Sequence, residues 1–213
     1  MNWRAWREVG RTAGGAFITY VAILMAVGLA VYALDPSGYH PTFRDKYLAH
    51  LKTLISHSVT GSIALGVGPL LFWASLRVRW RRLHRVLGRI YLVTVVVAAL
   101  SGFYLGTIAF GGPVPQVAFC LQAVVWLFTA GKAYAAARAW RIDQHRAWMV
   151  RNYAVTFSAV TGCLAGYNLQ LLGGYEFATV YPWVCWSSWT VNLLLAELFL
   201  RAEQRAVRHA VAP

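Results

Sequence analysis

The sequence has few charged residues and almost no motifs of soluble enzymes. Only 13% of its 213 residues are charged, seven of them acidic, while 59% are hydrophobic. This composition excludes a soluble globular protein. The chain has no P-loop, no nucleophile motif and no paired carboxylates within an apolar run, so no enzyme class is indicated beyond a membrane oxidoreductase subunit.

The cysteines are also few. Three are present, at Cys120, Cys163 and Cys185, and they form neither a CxxC nor a CxxCH motif. An odd number without these spacings argues against a disulfide framework and against a covalently attached c-type haem.

Long apolar runs are abundant instead. Runs of membrane-spanning length predict an all-α, polytopic membrane protein with residues 1–213 in one integral domain. Its six transmembrane helices are predicted at about 13–34, 50–76, 86–110, 117–137, 148–172 and 183–200, with a kink at Pro69.

The basic residues fix the predicted orientation. The formal net charge is +13, and Arg77 to Arg89 alone contain six arginines. With both termini inside, 17 of the 20 Lys and Arg are cytoplasmic, all except Arg44, Lys46 and Lys52. The positive-inside rule therefore predicts an N-in, C-in protein of the bacterial plasma membrane, whose basic turns meet anionic lipid head groups rather than nucleic acid.

Two basic segments resemble each other. His84 to Thr94 and His145 to Thr156 both begin with His-Arg and end in Arg-x-Tyr-x-Val-Thr. The two histidines are 61 residues apart, enough for one helical hairpin. We therefore predict a tandem parallel repeat, about 57–110 and 117–172, in which helices two and three match helices four and five in a four-helix core.

The repeated histidines suggest a cofactor site. His84 and His145, from different helices, predict bis-imidazole ligation of a b-type haem for electron transfer. Quinone is the other candidate cofactor, and a redox protein the predicted partner. Arginines and tyrosines beside the histidines are predicted to hold haem propionates or a quinone head group, namely Arg85, Arg89, Arg146, Arg151, Tyr91 and Tyr153.

Other interpretations use the same residues. The two His-Arg segments also fit an interfacial cap that binds lipid phosphates, in a non-enzymatic transporter or assembly scaffold.

His57 and His50, seven residues apart, suggest a Zn or Cu site at the outer face, completed from His40, Asp35, Asp45 or Glu176. Alternatively, His57 donates a hydrogen bond to a carbonyl of a neighbouring helix. Glu197 and Arg201 are predicted to pair at i,i+4.

The motifs also resemble a known family. The run from His57 through Gly68-Pro69-Leu70, the two His-Arg segments and Trp126 is similar to the bacterial predicted membrane proteins grouped as domain of unknown function 2306. This resemblance implies a multi-helix membrane protein and no particular activity. A looser likeness to cytochrome b561-type bundles rests on a four-helix repeat carrying His, although the predicted fourth helix has no His to mirror His57.

Overall fold

In a computed structural model of the chain, residues 3–39 and 41–211 are described, and they are all-α without a strand. These residues form nine α-helices and a 3₁₀ turn at Pro36–Gly38. The helices are α1 (Trp3–Leu34), α2 (Pro41–Ala49), α3 (Leu51–Leu70), α4 (Ala74–Val78), α5 (Arg81–Thr107), α6 (Pro113–Arg138), α7 (Ile142–Thr156), α8 (Ser158–Leu171) and α9 (Phe177–Val211).

Four segments among the described residues are long and apolar enough to cross a membrane, at Ala13–Leu34, Arg81–Thr107, Pro113–Arg138 and Phe177–Ala206. Many of their large apolar side chains are exposed, for example Phe17, Val93 and Phe128. A soluble protein rarely exposes so much contiguous apolar surface, whereas a lipid-facing helix requires it. The chain is therefore a membrane protein with several apolar helices.

Two of the six predicted helices differ in the structure. The segment predicted at about 50–76 is divided into α3 and α4, because α3 ends at Leu70, one residue after Pro69. Proline ends or kinks a helix by removing a backbone donor. The segment predicted at about 148–172 is α7 followed by α8, with a turn at Phe157, and α7 already begins at Ile142.

The chain divides into two compact units, Met1–Ala98 and Ala99–Pro213. In the N-terminal unit, α1 packs along α3. The helices approach closely at Gly66, where an added Cβ would lie 3.7 Å from the Cβ of Ala26. Trp73 also donates its indole N–H to the Thr19 hydroxyl at 3.3 Å. Small residues and one side-chain bond thus hold the first helix, as expected for packing in lipid.

The C-terminal unit is built around α6, α7, α8 and α9. Gly111 and Gly112, with φ of 85° and 81°, form the turn before α6, a conformation that side chains other than glycine rarely adopt. Helix α6 packs along α7, and α9 packs against α6, α7 and α8. At the start of α9, Phe177 and Tyr181 contact Phe110. The long helix α9 therefore contacts the other three helices of this unit.

Candidate functional site

His145 lies in the C-terminal unit as the fourth residue of α7, and it is half-buried. Its Nδ1 lies 2.9 Å from the backbone oxygen of Ala133 on α6. A carbonyl oxygen only accepts hydrogen bonds, so Nδ1 must carry the proton. In the neutral ring the lone pair is then on Nε2, the nitrogen available to a metal or a proton.

His57 has the same arrangement in the N-terminal unit. Its Nδ1 lies 2.8 Å from the backbone oxygen of Ala98 on α5. The predicted hydrogen bond to a neighbouring helix is thus confirmed. This bond places the lone pair of the neutral ring on Nε2 here as well.

The residues suggested for an outer metal site lie on several elements of the chain. His50 is the residue before α3, His40 lies outside the described residues, and Asp35 accepts hydrogen bonds from the side chain and backbone of Ser37. The Ser37 hydroxyl bond lowers the pKa of the Asp35 carboxyl from its ordinary value. Within 3–39 and 41–211, no three His, Cys, Asp or Glu side chains form a group able to hold a metal ion.

His84 occupies the corresponding position in the other copy of the sequence motif. It is the fourth residue of α5 and is half-buried in the N-terminal unit. Both tyrosines that follow are buried, Tyr91 completely and Tyr153 with 9% of its surface exposed. The two motif copies therefore share the helix position of their histidine and the burial of their tyrosine.

The arginines of the two copies have different surroundings. Arg146 forms a two-pronged ion pair with Glu203 of α9, with Nη1–Oε2 at 2.7 Å and Nη2–Oε1 at 2.9 Å. Arg151 likewise bonds both carboxylate oxygens of Glu197, and its guanidinium lies 4.7 Å from the ring centre of Trp148. Glu197, which we predicted to pair with Arg201, thus pairs with a residue of α7.

Arg85 and Arg89 of the first copy are exposed. Within the described part of the chain, neither forms an ion pair with a carboxylate. An external anion would therefore meet Arg85 and Arg89 without first displacing a protein carboxylate, which is not the case for Arg146 and Arg151.

A set of buried polar side chains links α6 to α7. Asn152, with 0% of its surface exposed, donates to the Trp126 carbonyl and to the Thr129 hydroxyl, both at 2.8 Å. The Trp126 indole donates to the Thr156 hydroxyl at 2.9 Å. This network was not predicted from the sequence, although Trp126 and Thr129, and likewise Asn152 and Thr156, recur at the i,i+3 and i,i+4 spacing of one helix face.

A second polar set links α7 and α8 to α9. Asn192 donates to the Ala154 carbonyl and to the Thr161 hydroxyl, both at 3.1 Å. Thr161 in turn donates to the Ser188 carbonyl at 3.0 Å. Polar groups within apolar helices cost free energy unless they are paired, so these contacts specify how α9 is placed.

Residues 54–200 match the model of a family described as a predicted membrane protein, DUF2306. The chain belongs to this family. The match confirms the resemblance that the His-Arg motifs indicated. No curated protein and no solved structure matches this DUF2306 chain.

The family match covers most of the candidate residues. It begins within α3 and ends within α9, so that His57, His84, His145 and Glu197 lie inside it, whereas Glu203 lies beyond it. Membership establishes that this DUF2306 protein is a membrane protein, which belongs in a lipid bilayer, and it specifies no chemistry.

Proposed function

We propose that this DUF2306 protein is a multi-pass protein of the bacterial plasma membrane that binds a b-type haem for electron transfer, and that His84 and His145 would hold the haem. The observation that carries the proposal is the contact between His145 Nδ1 and the Ala133 carbonyl. Histidines that ligate metals typically donate their other ring N–H to a carbonyl or carboxylate. This bond fixes the ring orientation and leaves Nε2 as the basic nitrogen.

The donor set fits a non-covalent haem. Two neutral imidazoles are the ligands of many b-type haems, and the absence of CxxCH excludes thioether attachment. When bound, the haem would supply one-electron transfer. Arg85 and Arg89, which are exposed and carry no protein carboxylate, are the arginines proposed to hold the propionates. Arg146 and Arg151 instead fix α7 to α9.

The proposal includes six transmembrane helices, an N-in, C-in orientation and the tandem repeat. Three structural parallels support the repeat. His84 and His145 are each the fourth residue of a helix, Tyr91 and Tyr153 are both buried, and each motif threonine donates to a carbonyl four residues before it.

Cysteine labelling tests the proposed orientation. The three native cysteines are replaced by alanine, and one new cysteine is introduced as Lys46→Cys or Arg79→Cys. A membrane-impermeant maleimide should label Lys46→Cys in intact cells and Arg79→Cys only after permeabilisation. The reverse pattern would invert the topology and move the proposed haem to the other side of the membrane.

The haem is tested by ultraviolet–visible spectroscopy of detergent-purified protein expressed with a verified haem supply. The oxidised wild type should show a Soret band, and dithionite should produce a reduced α-band. Both bands should be lost in His84→Ala and in His145→Ala and retained in His50→Ala, the matched control. Gel filtration shows whether each variant is still folded. A colourless, monodisperse wild type would refute the haem.

A quinone site is the second candidate, and the two buried tyrosines favour it. A quinone carbonyl accepts hydrogen bonds, and a tyrosine hydroxyl is a donor of the kind it requires. This candidate predicts a colourless protein with quinone in its solvent extract, lost in Tyr91→Phe with Tyr153→Phe. If neither haem nor quinone is found, the remaining alternative is a non-enzymatic transporter or assembly scaffold.

His57 supports a separate proposal, the outer-face metal site. Its Nε2 carries the lone pair in the neutral ring, as it does in His145. Metal analysis of the purified wild type should find Zn or Cu that is lost in His57→Ala and reduced in His50→Ala. Metal retained at the wild-type level in both variants would exclude this site.

A further inference from the structure

An apolar cleft of about 320 Å³ lies where α3, α4 and α5 follow one another in the N-terminal unit. Four leucines and two tryptophans line it, and Ser75 is its one polar lining residue; the apolar residues are Leu70, Leu76, Leu83, Leu87, Trp73 and Trp80. Both indole rings are partly exposed, Trp73 at 46% and Trp80 at 57%. The cleft is therefore open and takes an apolar group.

The cleft is held in shape by α1. The Trp73 indole N–H donates to the Thr19 hydroxyl, which in turn donates to the Gly15 carbonyl at 2.7 Å. Leu71, next to the lining residue Leu70, is buried with 5% of its surface exposed. A ligand would thus meet a wall whose orientation is already fixed, which lowers the entropic cost of binding.

The segment that forms the cleft wall is strongly basic. Arg77 and Arg79 lie between the lining residues Leu76 and Trp80, and both are exposed. The sequence contains no acidic residue between Asp45 and Asp143. Across the described residues, neither arginine has a carboxylate partner. The two positive charges at the cleft are therefore available to a negatively charged ligand.

An apolar cleft beside arginines without carboxylate partners is complementary to an anionic amphiphile. We propose that it binds one phospholipid with an anionic head group, whose acyl chain fills the cleft and whose phosphate lies against Arg77 and Arg79. Basic pockets on the cytoplasmic side of membrane proteins bind such lipids. A peptide would need partners for its many backbone polar groups, and the side chains of this lining offer only the Ser75 hydroxyl and the Trp80 indole N–H, since the Trp73 indole N–H bonds Thr19. The site is independent of the proposed haem.

Helix geometry supplies a local control. Leu83 and Leu87 are four residues apart and share one face of α5. At about 100° per residue, Arg81 lies about 160° around the helix from Leu83 and about 120° from Leu87. Arg82 lies about 100° from Leu83 and about 140° from Leu87. Arg81 and Arg82 therefore belong to the same basic segment but to a different side of the helix.

The experiment measures tryptophan quenching in nanodiscs of phosphatidylcholine that contain a minor fraction of brominated phosphatidylglycerol or brominated phosphatidylcholine. Full-length protein is compared with the Trp73→Phe, Trp80→Phe double variant, and the difference isolates the cleft. Quenching of these two residues should be stronger with the brominated anionic lipid. This preference should fall about tenfold in Arg77→Gln, Arg79→Gln, and less than about threefold in Arg81→Gln, Arg82→Gln.

Three results would overturn the proposal. Equal quenching by both lipids would mean that bulk lipid fills the cleft regardless of head group. An equal loss in the Arg81→Gln, Arg82→Gln control would mean that the basic segment attracts lipid without using the cleft. No quenching from Trp73 and Trp80 would mean that protein, such as a second copy of the chain, covers the cleft. Each result is read without any haem signal, so the two proposals fail separately.

Discussion

Asn152→Ala is the substitution whose effect on stability follows most directly from the contacts. The side chain is fully buried and donates two hydrogen bonds from α7 to α6, to the Trp126 carbonyl and to the Thr129 hydroxyl. An interhelical hydrogen bond within a membrane protein contributes about 0.6 kcal/mol on average, with a maximum near 1.7. Two bonds and the lost packing of the amide give an expected destabilisation of about 1 to 2 kcal/mol.

The free energy of unfolding should be measured by steric trapping or by titration with a denaturing detergent in mixed micelles. Asn168→Ala is the matched control, because Asn168 is exposed and donates to the Leu164 carbonyl on its own helix at 2.7 Å. It should cost less than about 0.5 kcal/mol, as surface substitutions usually do. The contrast isolates the interhelical bonds from the general effect of removing an asparagine.

A double-mutant cycle with Thr129→Val separates the two bonds of Asn152. The coupling between the two substitutions should be about 0.6 kcal/mol, since each single change breaks the same contact. Equal losses for Asn152→Ala and Asn168→Ala, or no coupling to Thr129, would show that the buried amide does not stabilise the contact between α6 and α7.

Three further predictions concern the C-terminal unit and use the same unfolding measurement. Arg146→Glu should destabilise by about 1 kcal/mol, and adding Glu203→Arg should restore most of the loss; no recovery would exclude the ion pair as the cause. Gly106→Ala should destabilise by about 1 kcal/mol, because its new Cβ would lie 3.2 Å from atoms of Phe119 and Cys120. The control is Gly131→Ala, whose new Cβ would meet nothing within 4 Å and which should be neutral or stabilising. Trp140 is exposed at 84% and has a φ of 57°, a backbone conformation that is costly for a bulky residue. Trp140→Asn should therefore stabilise the protein by about 0.5 to 1 kcal/mol. A loss of stability would refute that strain.

The apolar runs predicted the long helices because length and hydropathy are local properties of the sequence. Pro69 predicted a kink, and α3 ends one residue after it, since proline acts on its own turn. The break at Phe157 has no such signal, because no Gly or Pro stands there. The pairing of Arg151 with Glu197 was equally hidden, because the two residues are 46 positions apart and Glu197 has a nearer basic neighbour at i,i+4.

The hydrogen-bond acceptors of His57 and His145 could not be predicted from the sequence, for the same reason in both cases. The sequence identified His57 and His145 as unusual, but the carbonyl that fixes each ring belongs to another helix. A backbone acceptor carries no residue type and leaves no pattern to read. The position of a candidate ligand could thus be predicted from the sequence, whereas its protonated nitrogen depends on helix packing.

The two ion pairs between α7 and α9 impose an order on biosynthesis. The ribosome makes Arg151 46 residues before Glu197, and Arg146 57 residues before Glu203. At about 5 to 20 residues per second, α7 waits roughly 2 to 9 s for Glu197. During that interval Arg146 and Arg151 are without the carboxylates that they pair with in the folded protein. The contact between α7 and α9 is therefore completed only when the last helix has been made.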